Sequence, residues 1–226
     1  MSAHFDFSSL SSDWLDESGP MKMLHRMNDA RLRFVKSYVE PGQLGLDVGS
    51  GAGIFPIALA QDNYTIHALE KSEDLVTAAK KHCQEHQLEL EWHVQDFMDF
   101  DNEQSFDYIT CFEVIEHVEQ RRQFFDKLLR TVKPGGLIFL STLNRSLASY
   151  LVSIIGAEYL LKILPVGTHD YSLYLRPEEI SHHMPQAKPV DIRGLVYNPF
   201  TSKFFLGQSQ LVNYIGVWQR HLDING

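Results

Sequence analysis

The segment 44–75, LGLDVGSGAGIFPIALAQDNYTIHALEKSEDL, limits what this chain can become more than any other. Leu44-Gly45-Leu46-Asp47-Val48 reads as a short buried strand, and Gly49, Gly51 and Gly53 follow it at once. Ile54 to Ala60 is apolar at helical spacing, and a second strand over 65–69 ends on the acid Glu70. Strand, glycine turn, helix, strand and terminal acid form a nucleotide-binding βαβ layout. Glycine lets the backbone turn tightly and approach a ligand, since no Cβ stands in the way. A carboxylate at the tip of the second strand can accept hydrogen bonds from both hydroxyls of a ribose. The spacing is GxGxG, with Ile54 where the dinucleotide fingerprint GxGxxG needs its third glycine. That disfavours a nicotinamide dehydrogenase.

The 226 residues suit one α/β domain with a modest insertion, and 44% hydrophobic content is enough for a full core. A net charge of −9 argues against nucleic acid held on a general basic face. Cys83 and Cys111 fall in a predicted helix and strand and read as free thiols of a reducing compartment. No Cys/His pattern for structural zinc occurs, no apolar run has the length of a membrane span, and the acidic N-terminus does not read as a secretory or transit signal.

Before the βαβ unit, residues 1–40 read as an N-terminal helical arm. Leu24, Met27, Leu32, Val35 and Val39 recur at helical spacing, and Arg31 rides on that helix. Past Glu70, Ser72-Glu73-Asp74 caps a helix to about residue 86, and 89–94 alternates as a third strand. Asp96, just beyond it, either accepts from an adenine amino group or caps a turn, and Phe97 is placed to pack against a ring. The fourth strand, 106–111, runs into Phe112, Glu113, Glu116 and His117. In α/β sheets ligands bind beyond the carboxyl ends of strands. If Glu113 opens a helical turn, its i+3 and i+4 neighbours Glu116 and His117 project from the same face. Two carboxylates and an imidazole then suit a divalent cation such as Mg²⁺. The same residues also suit an acidic helix start with His117 in a hydrogen-bond network.

Lys133-Pro134-Gly135-Gly136 reads as a sharp turn into a fifth strand over 137–142. Residues 146–171 are rich in large apolar side chains and fit two short helices hinged near Gly156. They suit a lid, a membrane-contact insertion or a buried core helix. Strands over 191–197, 203–206 and 211–218 finish the sheet with an antiparallel hairpin.

Several motifs are similar to one family. LHRMNDARL (24–32), LDVGSGAGI (46–54), CFEVIEHV (111–118), VKPGG with FLSTLNRS (132–146), GAEYLLKILPVGTHDY (156–171) and GLVYNPFTSKFFLG with VNYI (194–215) resemble the ubiquinone-biosynthesis O-methyltransferases. The GxGxG turn with Asp47 two residues ahead resembles motif I of class I S-adenosylmethionine (SAM) methyltransferases. The resemblance implies a Rossmann-like α/β fold: a mostly parallel seven-stranded sheet with a C-terminal antiparallel hairpin and helices on both faces. It implies SAM contacts from Arg31, Gly49, Glu70 and the main chain at Phe112, which join Asp47, Gly51, Asp96 and Phe97 as cofactor-binding candidates, and Mg²⁺ at Glu113, Glu116 and His117. Those three are also the catalytic candidates, with His117 as the general base if no metal is present. The implied substrate is a polyprenylated catechol or phenol. The implied setting is cytoplasmic, peripherally associated with the inner face of the membrane, with contact through 146–171 and a biosynthetic complex as partner. Two departures stand out. The family usually has Asp at position 70 where this chain has Glu, and commonly Cys or a small residue at position 50 where it has Ser. A methyltransferase for another small phenol or lipid, and a non-catalytic SAM-binding subunit, are the competing readings.

Overall fold

The computed structural model describes residues 14–103, 105–146 and 173–222. Its elements, in order, are α1 (Lys22–Lys36), β1 (Leu44–Val48), α2 (Ile54–Gln61), β2 (Thr65–Glu70), α3 (Glu73–Glu85), β3 (Glu91–Val94) and β4 (Phe106–Phe112). Then come α4 (Arg121–Thr131), β5 (Val132–Leu143), α5 (Pro177–His183), β6 (Ala187–Asn198), β7 (Lys203–Gly207) and β8 (Asn213–Arg220). They build one sheet of order β3-β2-β1-β4-β5-β8-β6-β7. The first five strands are parallel, and β8, β6 and β7 add antiparallel pairs. The expected architecture is therefore present: its eight strands are those the sequence reading places, the one over 203–206 included, and they are one more than the seven the resemblance implies. Among the described residues β7 pairs with β6 alone, at the sheet edge.

Residue alternation along the strands explains the layering. Ile109 and Cys111 of β4, Ile138 and Leu140 of β5, and Tyr214 and Trp218 of β8 join one buried cluster with Phe124, Phe125, Leu128 and Ile180 of α4 and α5. Their strand neighbours Tyr108, Phe139, Ile215 and Val217 join a second cluster with Ala30, Phe34, Val35, Phe55 and Leu59 of α1 and α2. Successive side chains on a strand point to opposite faces, so both faces of the sheet are covered by helices. Gly45 belongs to this packing: a Cβ there would lie 2.2 Å from the Tyr108 ring.

Local differences from the sequence reading have physical causes. β5 starts at Val132, ahead of the expected turn. Phe106 pairs with Val132 and Tyr108 with Leu137, so Lys133 to Gly136 form a bulge, with Gly135 at φ +79°. β3 is shorter than expected. Ser72 does cap α3, accepting from the Leu75 N–H, with Glu73 and Asp74 in the first turn. Most of the expected insertion (147–172) and residues 1–13 of the N-terminal arm lie outside the described residues.

The chain order reverses between β1 and β4: β1 is followed in the sheet by β2 on one side and by β4 on the other. The crevice past the carboxyl ends of these two strands is where such folds take ligands.

Candidate active site

The turn after β1 is wound by three glycines at positive φ: Gly49 (+73°), Gly51 (+55°) and Gly53 (+87°). The Gly49 and Ser50 N–H groups both donate to the Leu69 carbonyl, at 2.9 and 3.1 Å, which ties the turn to the end of β2. Glu70 completes the tie. Its carboxylate accepts from the Gly51 N–H at 3.0 Å and from the Ser72 N–H at 2.9 Å. Trp14 roofs the turn, and a Cβ on Gly51 would sit 2.7 Å from its indole. Trp14 is buried with Met21, Ala52 and Leu75.

Asp47 is buried under this turn and accepts from the Thr110 hydroxyl at 2.6 Å. Burial pushes its carboxyl up to about 7, against the pull of hydrogen bonds from Thr110 and Ser50 and of the Arg31 charge.

Arg31 is the hinge of the site. α1 buries it to 5% exposure, its Nη2 donates to Glu113 Oε1 at 2.7 Å, and its guanidinium lies 5.1 Å from the Phe112 ring centroid. Ser141 Oγ, from the end of β5, donates to the same Glu113 oxygen at 2.8 Å. Phe112 is pinned edge-on against Phe55, 4.9 Å between centroids. Glu116 is buried, accepts from Thr142 Oγ1 at 2.9 Å, and is pushed up to about 8 by burial and by the Glu113 charge beside it.

The helical-turn expectation for Glu113 does not hold. Glu113 has φ +55°, in the left-handed region, and the turn that follows is a short 3₁₀ segment, Ile115–His117. A residue at positive φ cannot open an α-helix, so the i+3, i+4 face never forms. Glu113 and Glu116 still meet, but His117 is exposed on the protein surface. Among the described residues, one group alone offers three His, Cys or carboxylate ligand atoms within 4.8 Å of one another, and it is not this one. Asp96 caps the 3₁₀ turn Phe97–Asp99 by accepting from the Met98 N–H at 2.8 Å. Phe97 is buried against Phe124 at 5.1 Å, so its ring serves the core. Ser141 and Thr142 were missed, although two hydroxyls in the apolar run FLSTL are their signal.

A family model for a methyltransferase domain matches residues 46–140. The ubiquinone biosynthesis O-methyltransferase of Coxiella burnetii (strain RSA 331 / Henzerling II) is 37% identical over 213 residues, covering 92% of this chain and 91% of that protein. This chain belongs to the ubiquinone biosynthesis O-methyltransferase family. Solved structures agree on the fold. A magnesium protoporphyrin IX methyltransferase from Synechocystis PCC 6803 with bound SAH has TM-score 0.67 at 18% identity, covering 88% of this chain and 84% of that one. The PH0226 protein from Pyrococcus horikoshii OT3 has TM-score 0.72 at 16% identity, covering 96% of this chain and all of that one. The methyltransferase is thus an enzyme that takes its methyl group from SAM.

The residues present fit SAM. Arg31 Nε is buried and has no hydrogen-bond partner among the described residues, and neither has Asn28 Oδ1 on the same helix. An orphaned guanidinium donor answers a carboxylate, and an orphaned amide oxygen answers an ammonium group, the two ends of an amino acid. The residues do not fit the expected Mg²⁺ as arranged. Arg31 already neutralises Glu113, Glu116 is turned to Thr142, and His117 stands outside the group.

Proposed function

We propose that this methyltransferase transfers the SAM methyl group to a phenolic hydroxyl of a prenylated ubiquinone precursor. The observation that carries the reading is the 37% identity to a ubiquinone biosynthesis O-methyltransferase across nearly the whole chain. The Arg31–Glu113 pair supports it by tying α1 to the end of β4. When bound, SAM supplies a sulfonium methyl group open to in-line displacement by a phenolic oxygen.

The chain's own residues divide the remaining work. Arg31 and Asn28 hold the amino-acid end of the donor, and the backbone of Gly49 to Gly51 lies along it. Glu70 takes the ribose hydroxyls on the carboxylate lone pairs that Gly51 and Ser72 leave open. Its extra methylene, relative to the family's usual Asp, is absorbed by those two main-chain bonds. Glu113, fixed by Arg31 and Ser141, accepts a hydrogen bond from the acceptor ring, which sets the attacking oxygen in line. His117, at the solvent-exposed mouth, takes the phenolic proton and releases it to water. No step is routed through a metal at these residues.

The same reading places the enzyme at a membrane surface, where a prenylated substrate resides. Among the described residues no helix is long and apolar enough to cross a membrane. Ser146, the last described residue before the apolar insertion, donates its hydroxyl to the Leu211 carbonyl, and the Leu211 side chain is exposed. Phe200, at the β6–β7 turn, is 97% exposed. An apolar root and an apolar tip of this kind suit insertion into a headgroup layer.

The test is calorimetry with SAM on the wild type and on Asn28→Ala, followed by vesicle co-sedimentation of wild type and Phe200→Ser. SAM affinity that falls in the first variant and vesicle binding that falls in the second support the reading. Wild-type protein that ignores SAM refutes it.

A further inference from the structure

Away from the methyl-transfer site, the outer edge of the sheet gathers a second set of ligand atoms. The register of β2 and β3 sets His67 opposite Glu91, and Leu69 opposite His93. Glu91 and His93 are two residues apart on one strand, so all three side chains share a face. His67 Nε2 lies 3.2 Å from Glu91 Oε2, His93 Nε2 lies 3.5 Å from Glu91 Oε1, and His93 Nε2 lies 3.2 Å from His67 Nδ1. One ligand atom from each residue can be chosen so that all three lie within 4.8 Å of one another.

These separations run through both nitrogens of His67, and one nitrogen from each ring with one carboxylate oxygen lies close enough for a single ion to draw them together. Tetrahedral zinc with bonds of about 2.0–2.1 Å keeps neighbouring ligand atoms about 3.4 Å apart. Two imidazoles and one carboxylate suit first-row transition metals, and not Mg²⁺ or Ca²⁺, which prefer oxygen. The rings are also braced. His67 stands edge-on to Phe106 at 5.6 Å and His93 lies 5.1 Å from Phe100, both phenylalanines being buried. Entry is open: the Glu91 side chain is 59% exposed, and His67 and Glu91 line a surface groove of about 580 Å³. Without an ion, the three groups satisfy one another as a hydrogen-bonded cluster, so binding must displace a proton.

We propose that His67, Glu91 and His93 form a site for one divalent transition-metal ion of the Zn²⁺ type, with its remaining position open to water. The ion clamps β3, which has β2 as its sole sheet partner, to the strand that ends in Glu70.

The test titrates the full untagged chain with Zn²⁺ by calorimetry and with Co²⁺ by visible absorption. The expected result is one equivalent bound, a rise in melting temperature, and a Co²⁺ spectrum of a low-coordinate nitrogen and oxygen site. Glu91→Gln and His93→Gln should each weaken binding by about tenfold or more. Because Glu91 is exposed, its variant keeps the fold even if His93→Gln does not, and circular dichroism monitors both. A second close histidine pair, His82 in the last turn of α3 and His86 at its C-cap (4.2 Å between rings), is the internal control. Binding that survives Glu91→Gln and His93→Gln unchanged, that disappears in His86→Ala, or that is absent from the wild type overturns the proposal.

Discussion

Two regions of this molecule each hold two unlike ligand types close in the fold, and they arise in opposite ways. Glu113, Glu116 and His117 lie within five residues of one another, yet the chain does not bring them to one point. His67, Glu91 and His93 span two strands and the helix between them, yet parallel register brings them together. Proximity along a chain makes a cluster only if the backbone conformation carries it, and the positive φ of Glu113 withholds that conformation. Register between strands has no such dependence, because pairing fixes which side chains stand opposite. The first region is therefore organised around an ion pair, Arg31–Glu113, and the second around three mutually bonded side chains, His67, Glu91 and His93.

The largest expected effect breaks the first region at its hinge. Arg31→Gln leaves the Glu113 charge without its buried partner, and removing one member of such a pair costs about 3–5 kcal/mol. Both the denaturation midpoint and SAM affinity should fall together. A stable Arg31→Gln protein with wild-type SAM affinity would remove Arg31 from the account. Next in size is His117→Ala. With the proton acceptor gone, kcat should drop by about 10²-fold while SAM affinity stays at its wild-type value. Rapid-quench turnover and calorimetry together separate this from a folding defect, since His117 is on the surface.

The two regions should also titrate with opposite signs. Asp47 and Glu116 have folded-state values of about 7 and about 8, above their ordinary 3.8 and 4.5. The stability they contribute is whole below those ordinary values and is lost as pH rises through 7 and 8. His93 is held below its ordinary 6.5, so its contribution is present above 6.5 and lost as pH falls through it. Melting curves of the ligand-free protein should therefore lose several degrees between pH 5 and 8 through the two carboxyls, on the order of 2–4 °C per kcal/mol. Asp47→Asn should flatten that loss, and His93→Gln should steepen it by removing the counter-trend. Parallel curves for the wild type and Asp47→Asn would contradict the assignment. The smallest expected effect is on catalysis at the edge. Glu91→Gln should leave kcat/KM within about twofold of wild type, because the second region touches neither reactant.

Much of the fold was legible in the sequence, and the reason is periodicity. The run from Leu44 to Glu70 alternates strand, glycine, helix and strand with little ambiguity, and the glycines at 49, 51 and 53 do adopt the positive φ their positions demand. The serine cap of α3 and the antiparallel finish were equally readable. The failures share one cause, which is that they depend on tertiary partners. Glu113 takes a left-handed conformation while its N–H donates to the Ser141 carbonyl of β5, a strand still unplaced when a sequence is read. Phe97 could face a ligand or the core, and Phe124 of α4 decides for the core. The bulge at Lys133 to Gly136 follows from pairing with β4. The edge cluster was invisible because His67 and His93 look like separate polar positions until β2 and β3 are set side by side.

The central claim is that a SAM donor held by Arg31 and the glycine turn methylates oxygen on a prenylated ring. The most direct measurement supplies isotopically labelled methyl SAM and a prenylated catechol in vesicles, with its tail-less counterpart beside it, and identifies the product by mass spectrometry. The account predicts an O-methylated prenylated product, slower turnover of the tail-less catechol, and a drop of about 10²-fold in both rates in His117→Ala. SAM binding with no label on either ring, or label on carbon or nitrogen only, would contradict it.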